Sequence, residues 1–372
     1  MSTNPLIENA AIARPLNVGP MFPPGATIGI LGGGQLGRML ALAAASMGYR
    51  VHVLAPEAEL PAGDVAADVT RADYTDLAAL DRFAAAVDIV TFEFENIDTA
   101  AIRHLADQVA VHPGAASLEI AQDRLAEKRF VESLGGRPAA YRAIDSRADL
   151  ETAIAALGCP CILKTRRFGY DGKGQARIDA ADGADAAWAA IAGKPAILEA
   201  WVPFTHEFSV VLARGHDGET VVWPVPHNIH RGGILDTSRL PAPPEIAALA
   251  DEAMALARKV ADVLGHVGVL TLEFFATPDG PRFNEMAPRV HNSGHWAIEG
   301  ARASQFENHI RAVCGLPLGS TELTAADIVM KNLLGEDVHD WRDLLADRRA
   351  HLHLYGKSEV KPGRKMGHVT WL

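Results

Sequence analysis

The alternation of apolar and polar residues divides most of the chain into short strands and amphipathic helices. Residues 26–56 contain a strand, a glycine-rich turn, a helix and a second strand, which predicts a βαβ unit. The same alternation continues to residue 120, so this region is predicted to be a doubly wound, Rossmann-like parallel sheet. Helices are predicted at residues 75–86 and 99–106, and strands at residues 88–92 and 109–111.

The pattern then changes twice, which predicts three folded domains and an overall α/β and α+β fold class. Residues 121–200 form a small α/β unit, and residues 201–372 are a mixed domain with a long β region and an amphipathic helix at 244–264. Residues 1–25 show no periodicity and are predicted to be a loose extension. Within the small unit, helices are predicted at 122–134 and 147–157, and strands at 140–144, 160–165, 176–178 and 195–199.

One predicted hairpin places two carboxylates face to face. Strands at residues 269–276 and 281–287 flank the turn sequence Thr277-Pro278-Asp279-Gly280, so Glu273 and Glu285 should lie almost opposite each other. Like charges in this position destabilise a strand pair unless something compensates them. A hard divalent cation such as Mg²⁺ would do so, whereas a solvated pair on an open face is the alternative. The polar residues next to this pair, Asn284, Arg289, His291, Asn292 and Ser293, favour the cation.

A glycine pattern opens the first domain, with Gly32, Gly34 and Gly37 in the G-x-G-x-x-G positions. The second strand ends in Ala55-Pro56, where a dinucleotide-binding protein would place an acidic residue. A nicotinamide-dependent oxidoreductase is therefore disfavoured but remains open. More generally, bare amides at the start of a helix favour an anionic group.

A second glycine-rich segment and a basic tip could both bind phosphates. Lys164 ends a strand and leads into residues 166–175, where glycines alternate with cations, as in a loop that folds over a polyphosphate. Residues 357–365 carry four cations between the last two strands. A phosphate-binding tip and a solvated charged turn are both compatible with that pattern.

Composition excludes several classes of protein. The chain of 372 residues has 48% hydrophobic and 22% charged residues and a formal net charge of -11, which disfavours nucleic-acid binding but leaves room for a local basic pocket. Its three cysteines have neither disulfide-framework nor zinc spacing, so a reducing cytoplasmic location is expected. No apolar run is long enough to predict a membrane span.

Four motifs together resemble the ATP-grasp superfamily and, within it, the N5-carboxyaminoimidazole ribonucleotide synthetase family. The resemblance covers about residues 27–371 and implies a Rossmann-like pre-ATP-grasp domain, a small lid domain and a C-terminal mixed domain. The family usually continues beyond the strand in which this chain ends, at Trp371-Leu372. The motifs are GGGQLGRML at 32–40, RRFGYDGKGQ at 166–175, NEMAPRVHNSGHW at 284–296 and KPGRKMGH at 361–368.

The resemblance implies that ATP phosphorylates bicarbonate to carboxyphosphate, which carboxylates 5-aminoimidazole ribonucleotide. Glu273 and Glu285 would carry Mg²⁺, with Mn²⁺ as an alternative, and the enzyme would be a homodimer. The residues implied to bind ATP are Arg124, Lys164, Gly169, Tyr170, Asp171, Gly172, Lys173, Gly174, Gln175, Glu199, Ala200, Trp201, Val202, Glu207, His230, Asn284 and Glu285.

The same resemblance implies the residues that meet the other two substrates. A formate-dependent glycinamide ribonucleotide transformylase of the same superfamily remains an alternative, although the HNSGHW segment favours the carboxylating enzyme. Residues implied to handle bicarbonate and carboxyphosphate are Arg289, His291, Asn292, Ser293 and Lys173. Those implied to bind the ribonucleotide are Gln35, Leu36, Glu95, Tyr170, Asp171, Lys357, Arg364 and Lys365.

Overall fold

The computed structural model describes residues 20–169 and 173–372. Most of the predicted extension, residues 1–19, therefore lies outside the described residues. The part that is described packs on the protein surface: the Phe22 amide donates to the Cys314 carbonyl at 3.0 Å, and the Tyr49 hydroxyl donates to the Phe22 carbonyl at 2.7 Å. No helix among the described residues has the length and apolar character needed to cross a bilayer.

The first region forms the predicted parallel sheet with helices around it. Apolar strands such as TIGIL and IVTF are almost entirely buried, as expected for a parallel sheet covered on both faces. The chain order is β1 (Thr27–Leu31), α1 (Gln35–Ser46), β2 (Arg50–Leu54), β3 (Asp68–Thr70), α2 (Leu77–Ala84), β4 (Ile89–Phe92), α3 (Thr99–Ala106) and β5 (Ala110–Val111).

The five strands lie in the order β3-β2-β1-β4-β5, all parallel. The order reverses between β1 and β4, so the segments that follow these two strands meet at one edge of the sheet. The glycine turn follows β1, and residues 93–96 follow β4. This topology brings the glycine motif and the acidic segment together.

The glycine turn encloses a carboxylate from its own chain. The Glu93 carboxylate accepts hydrogen bonds from the Gly34 amide at 2.7 Å and from the Gly37 amide at 3.1 Å. A Cβ atom at Gly32 or Gly34 would lie 2.6 or 2.7 Å from atoms of Glu93, so the glycines are needed to make room for it. The amides of Gly34 and Gly37 therefore bind a carboxyl group of the protein itself.

A four-stranded antiparallel sheet follows, in the order β6-β9-β7-β8. The helix predicted at 122–134 begins at Arg124, because the Asp123 side chain caps it by accepting from the Leu125 and Ala126 amides. The elements are α4 (Ala115–Gln122), α5 (Arg124–Ser133), β6 (Tyr141–Ile144), α6 (Arg147–Leu157), β7 (Cys161–Thr165), β8 (Gln175–Ile178), α7 (Ala184–Ala190) and β9 (Ala196–Ala200), with a 3₁₀ turn at Ala181–Gly183.

The remaining residues form a nine-stranded sheet and the helices packed on it. The predicted helix at 244–264 is interrupted at residues 248–249. The elements of this region are β10 (His206–Arg214), β11 (Thr220–Val222), β12 (His227–Arg231), β13 (Ile234–Leu240), α8 (Pro244–Ala247), α9 (Ala250–Val263), β14 (Gly268–Thr277), β15 (Gly280–Ala287), α10 (Ala297–Gly300), α11 (Gln305–Val313), β16 (Ile328–Leu334), α12 (Trp341–Leu344), β17 (Ala350–Leu354) and β18 (Lys365–Trp371), with 3₁₀ turns at Asn292–Gly294 and Gly335–Asp340.

The predicted carboxylate hairpin is β14 and β15, at one end of this sheet. The sheet order is β15-β14-β10-β12-β13-β16-β18-β17, with β11 paired to β10. Leu272 pairs with Met286 and Phe274 pairs with Phe283, with a β-bulge between them. Glu273 consequently lies opposite the two residues Asn284 and Glu285, because the bulge places two residues against one. The hairpin and the facing of its carboxylates are as predicted.

The enclosed carboxylate gives a test of the glycine turn. Gly32→Ala should destabilise the protein more than Gly25→Ala, by about 1–3 kcal/mol of unfolding free energy, because only the first substitution overpacks a buried site. Both glycines have similar backbone angles, φ +102° and +98°, but a Cβ at Gly25 meets nothing within 4 Å. Urea unfolding of the two variants measures the difference. Equal losses would show that Glu93 moves aside at no cost.

Candidate active site

A cleft of about 390 Å³ lies between the first sheet and the carboxylate hairpin. It collects residues from the glycine turn, the segment after β4, helix α5, the hairpin and the segment after it. Segments that belong to three separate sheets therefore line one cavity. Among the predicted site residues, those that line it are Gln35, Leu36, Glu95, Arg124, Gly169, Glu273, Glu285, Arg289, His291, Asn292 and Lys365.

Each of the facing carboxylates has a polar partner from another part of the chain. An Arg124 guanidinium nitrogen lies 2.6 Å from a Glu285 oxygen, and His291 Nε2 lies 3.2 Å from Glu273 Oε1. Burial, and then the nearby Glu285 charge, raise the pKa of Glu273. Burial acts in the same direction on Glu285, but Arg124 and Lys164 outweigh it and lower the pKa of that carboxyl. Glu285 is therefore the more acidic of the two carboxyl groups, and Glu273 is the one that is more easily protonated.

The donor set of this pair fits a hard divalent cation that is completed by substrate oxygens. Within residues 20–169 and 173–372, no group of three or more His, Cys, Asp or Glu side chains is arranged to hold a metal alone. Mg²⁺ typically takes one or two protein carboxylates and fills its remaining positions with phosphate oxygens and water. Glu273 and Glu285 provide that number of carboxylates on one face of the hairpin.

A buried network of lysines and an acid lies behind the hairpin. The Glu199 carboxylate lies 3.1 Å from Lys128 Nζ and 2.9 Å from Lys164 Nζ, and Lys128 also donates to the Asn284 carbonyl at 3.0 Å. Burial alone would raise the pKa of Glu199, but Lys128 and Lys164 lower it to about 2. Because the Glu199 carboxylate is held by both lysines, it links α5 to β7 and β9.

Lys128 was missed in the sequence, although a signal for it was present. It lies four residues after Arg124 on the same helix, so both side chains point to the same side. Glu127 was missed as well: its carboxylate accepts from the Met286 amide at 2.6 Å and ties α5 to β15. Helix α5 therefore supports the carboxylate hairpin over its whole first half.

The segment after β9 presents backbone groups at the junction of two sheets. The Ala200 amide donates to the Ala140 carbonyl at 2.8 Å and the Trp201 amide to the Pro160 carbonyl at 3.2 Å. The Val202 amide donates to no carbonyl among the described residues. Glu207 and His230 lie nearby on β10 and β12 and form a pair, with 3.1 Å between Oε2 and Nδ1.

The ribonucleotide residues predicted from the resemblance are only partly brought to the cleft. Glu95 forms an ion pair with Arg289, and this contact lowers the pKa of Glu95 against the opposing effect of burial. Lys365 lines the cleft, but Lys357 and Arg364 do not. Arg364 lies 2.6 Å from a Glu59 oxygen of the first domain, so the basic tip rests on that domain. Within the tip, Ser358 and Arg364 are tied to Glu59, whereas Lys361 is exposed.

The glycine-rich loop is described only at its two ends. Tyr170, Asp171 and Gly172 lie outside the described residues, so their predicted contacts with ATP and ribonucleotide stay predictions. On the near side, the Gly169 carbonyl accepts from Arg124 at 3.3 Å. On the far side, Lys173 and Gly174 lead into Gln175, the first residue of β8. Arg124 therefore contacts both this loop and Glu285.

Three family models match consecutive parts of the chain. A ribonucleotide synthetase preATP-grasp domain matches residues 25–122, an ATP-grasp domain matches residues 129–306, and a phosphoribosylaminoimidazole carboxylase C-terminal domain matches residues 328–372. The fold is that of an ATP-grasp enzyme, as the sequence motifs predicted.

Proteins of one family match nearly the whole chain. The N5-carboxyaminoimidazole ribonucleotide synthase of Brucella melitensis is 49% identical over 350 residues, which cover 93% of this chain and 96% of that protein. The structure of an N5-carboxyaminoimidazole ribonucleotide synthetase in complex with ADP matches with a TM-score of 0.90 and 46% identity, covering 95% of this chain and 94% of the other. The chain belongs to the N5-carboxyaminoimidazole ribonucleotide synthase family.

A further structure of the family shows which ligands one member binds. The enzyme of Aspergillus clavatus, in complex with ADP and 5-aminoimidazole ribonucleotide, matches with a TM-score of 0.86 and 30% identity over 93% of each chain. The present chain is accordingly an ATP-dependent ligase that converts 5-aminoimidazole ribonucleotide to N5-carboxyaminoimidazole ribonucleotide in purine biosynthesis. The fold and the family exclude the alternative of a nicotinamide-dependent oxidoreductase.

The buried lysine network predicts a specific effect of acid. Glu199 has a folded pKa of about 2, below its ordinary value of 4.5, so its ionised form stabilises the protein above pH 4.5 and that contribution is lost as the pH falls through 2. Lys128→Met should cost about 3 kcal/mol of unfolding free energy at pH 7 and shift acid unfolding to higher pH. Chemical denaturation at several pH values measures both effects.

Lys259→Met is the matched control for this substitution, because Lys259 donates to the Leu134 carbonyl from an exposed position. It should leave stability and the acid transition almost unchanged. If Lys128→Met behaved like this control, the lysine would not be what keeps Glu199 ionised.

Proposed function

We propose that this cleft makes carboxyphosphate from ATP and bicarbonate and then delivers its carboxyl group to 5-aminoimidazole ribonucleotide. A bicarbonate oxygen attacks the γ-phosphorus of ATP and ADP leaves. Carboxyphosphate then releases carbon dioxide and phosphate, and the exocyclic amine attacks the carbon and loses a proton. The observation that carries this proposal is the continuity of one cavity from Glu285, through Arg289 and His291, to the glycine turn at Gln35.

On the donor side, the charged network is suited to triphosphate. Glu273 and Glu285 would hold Mg²⁺, or Mn²⁺ in its place, and this ion would neutralise phosphate charge. Arg124 already pairs with Glu285, and Lys164 pairs with Glu199. A bound phosphate would share these two cations with their protein partners. The remaining residues proposed to position phosphates are His230 and Asn284, with the loop residues Gly169, Tyr170, Asp171, Gly172, Lys173, Gly174 and Gln175.

The nucleoside part of ATP would lie at the segment after β9. The Val202 amide is available to donate a hydrogen bond to an adenine ring nitrogen, since it donates to no carbonyl among the described residues. Ala200 and Trp201 would shape the adenine pocket with their backbone, because their amides are already used. Glu207 on β10 would accept hydrogen bonds from the ribose hydroxyls.

On the acceptor side, cations and small polar groups form the floor of the cavity. Arg289 and His291 would orient bicarbonate and then carboxyphosphate, with Asn292 and Ser293 beside them and Lys173 above. The Arg289 guanidinium is held by Glu95 on the side of the first domain. An anion bound here would therefore lie between the metal carboxylates and the ribonucleotide subsite.

The ribonucleotide would bind at the glycine turn, where Gln35, Leu36 and Glu95 line the cleft. Lys365 also lines it, whereas Arg364 is paired with Glu59. We therefore propose that the 5′-phosphate draws Arg364 away from Glu59 and Lys357 away from the Lys365 carbonyl, since a phosphate competes effectively for cationic side chains. Tyr170 and Asp171 would close over the same substrate.

The family resemblance carries three further proposals about the whole molecule. The enzyme would work in the cytoplasm and form a homodimer. Its domains would span residues 26–120, 121–200 and 201–372, with residues 1–25 as an extension. Analytical ultracentrifugation tests the dimer directly.

The carboxylate hairpin gives a first test of the mechanism. Glu285→Gln should reduce ATP turnover to background, because it removes one of two carboxylates proposed to hold the metal while keeping the shape of the side chain. The measurement is phosphate release in the presence of 5-aminoimidazole ribonucleotide, bicarbonate and Mg²⁺. Glu322→Gln, which alters an exposed carboxylate paired with Arg302, is the control and should behave like the unaltered enzyme. Near-normal turnover by Glu285→Gln would refute the metal assignment.

A comparison of substrates tests the reaction itself. Phosphate release from ATP should depend on 5-aminoimidazole ribonucleotide with bicarbonate, and should stay at background with glycinamide ribonucleotide and formate. The reverse dependence would favour the formate-dependent transformylase. Measuring the carboxylated product alongside phosphate shows whether ATP use is coupled to carboxylation.

A further inference from the structure

We infer that a buried chain of side chains, which crosses the large sheet from Ser238 through Asn228 and Ser209 to Ser293, holds His291 in one neutral tautomer with its Nε2–H directed into the cleft. These four residues would be positioning residues. The tautomer follows from the contacts alone, and only the identity of the anion that meets the N–H rests on the proposed function.

The chain is continuous and lies away from solvent. Ser238 Oγ donates to Asn228 Oδ1 at 2.8 Å, Asn228 Nδ2 donates to Ser209 Oγ at 3.0 Å, and Ser209 Oγ donates to Ser293 Oγ at 2.7 Å. Ser293 Oγ then lies 2.9 Å from His291 Nδ1. All four residues before the histidine are buried. Hydrogen bonds in such surroundings are stronger than in water.

The direction of the chain is set by Asn228. The Asn228 side-chain nitrogen can only donate, so Ser209 Oγ accepts from it. The Ser209 hydroxyl proton is then directed to Ser293 Oγ. Ser293 Oγ accepts that bond, and among the described residues His291 Nδ1, at 2.9 Å, is the remaining partner for its own proton. The ring nitrogen at Nδ1 is therefore an acceptor, and in the neutral imidazole the proton sits on Nε2.

A second donor supports the same tautomer independently of how the Asn228 amide is oriented. The Ser293 backbone amide points at His291 Nδ1 from 3.3 Å, and a backbone N–H can only donate. The backbone of His291 is held as well: Gln305 Oε1 accepts from the His291 amide at 2.8 Å, and Gln305 Nε2 donates to the His291 carbonyl at 2.6 Å. Both the position and the proton of the ring are thus determined by buried neighbours.

The proton on Nε2 points toward the reacting groups. Nε2 lies 3.2 Å from Glu273 Oε1, and His291 lines the cleft. Ser209 is also the cross-strand partner of Glu273 on β10 and β14, so the buried chain ends beside the carboxylate pair. In this tautomer His291 is a hydrogen-bond donor to an oxygen anion, and it is not the base that takes a proton from bicarbonate.

The tautomer can be observed directly in the full-length chain. In a ¹⁵N-histidine-labelled sample at pH 7, the His291 resonances, assigned among the 15 histidines by their loss in His291→Gln, should show an unprotonated Nδ1 and a protonated Nε2. A protonated Nδ1, or a ring protonated on both nitrogens, would overturn the inference. This measurement needs no substrate and no metal.

Asn228→Asp tests whether the chain sets the tautomer. A carboxylate only accepts hydrogen bonds, so the Ser209 hydroxyl would donate to it and no longer to Ser293. Ser293 Oγ could then accept a hydrogen bond from His291 Nδ1–H. The Nδ1–H tautomer should then become detectable. Carboxylated product should form roughly 10- to 100-fold more slowly, as when an orienting hydrogen-bond partner of a catalytic group is lost. The KM for ATP should be little changed, and more phosphate should be released per product.

Asn332→Asp is the matched control. Asn332 is equally buried in the same sheet, and its side chain donates to the Leu235 carbonyl outside this chain of residues. It should leave the His291 tautomer and the ratio of phosphate to product unchanged. Ser209→Ala, a smaller change, should raise that ratio in the same direction as Asn228→Asp.

The outcomes separate this inference from the proposed function. If Asn228→Asp and Ser209→Ala both keep the wild-type tautomer and the wild-type ratio, the positioning role is refuted. If the tautomer is as inferred but the enzyme does not carboxylate 5-aminoimidazole ribonucleotide, the proposed function fails and the tautomer assignment stands.

Discussion

The structure depends on one electrostatic constraint, the burial of acids and bases together at the junction of three sheets. Glu285 is balanced by Arg124, and Glu199 is balanced by Lys128 and Lys164. An unpaired charge in such a place would cost far more than a paired one. Helix α5 supplies two of these cations, so its capping and its packing against β15 decide whether the site can form.

The same constraint would let the site exchange partners when anionic substrates bind. Cations in and near the cleft are held by protein carboxylates in the free enzyme: Arg289, which lines the cleft, is held by Glu95, and Arg364, which lies outside it, is held by Glu59. Phosphate and bicarbonate bring negative charges of their own, so binding can exchange one set of ion pairs for another without exposing bare charge. In a low-dielectric cavity, such preorganised groups stabilise developing charge without reorganising.

The glycine turn shows how a familiar pattern can serve a different purpose. In a dinucleotide-binding protein the turn leaves its amides for a pyrophosphate. Here Glu93 occupies the amides of Gly34 and Gly37, and the glycines make room for its side chain. A local pattern cannot distinguish these uses, because the carboxylate follows a strand, β4, that is far away in the sequence and adjacent to β1 only in the sheet.

Much of the fold and of the candidate site follows from local sequence. Helix α3 at Thr99–Ala106 and helix α6 at Arg147–Leu157 have the bounds that periodicity predicted. Boundaries were less accurate where a single side chain decides them, as at Asp123. Short segments such as β3 were missed, because three residues carry too little periodic pattern.

By itself, the sequence determined the elements, the carboxylate hairpin and, through its motifs, the family. Those features depend on residues close together in the chain, where periodicity and turn chemistry act. Only the tertiary structure decided which charges meet: Lys128 with Glu199, Glu93 with the glycine turn, and Arg364 with Glu59. The same holds for the chain from Asn228 to His291. Hydrogen bonds and ion pairs act over a few ångströms, so they are decided by how distant segments pack.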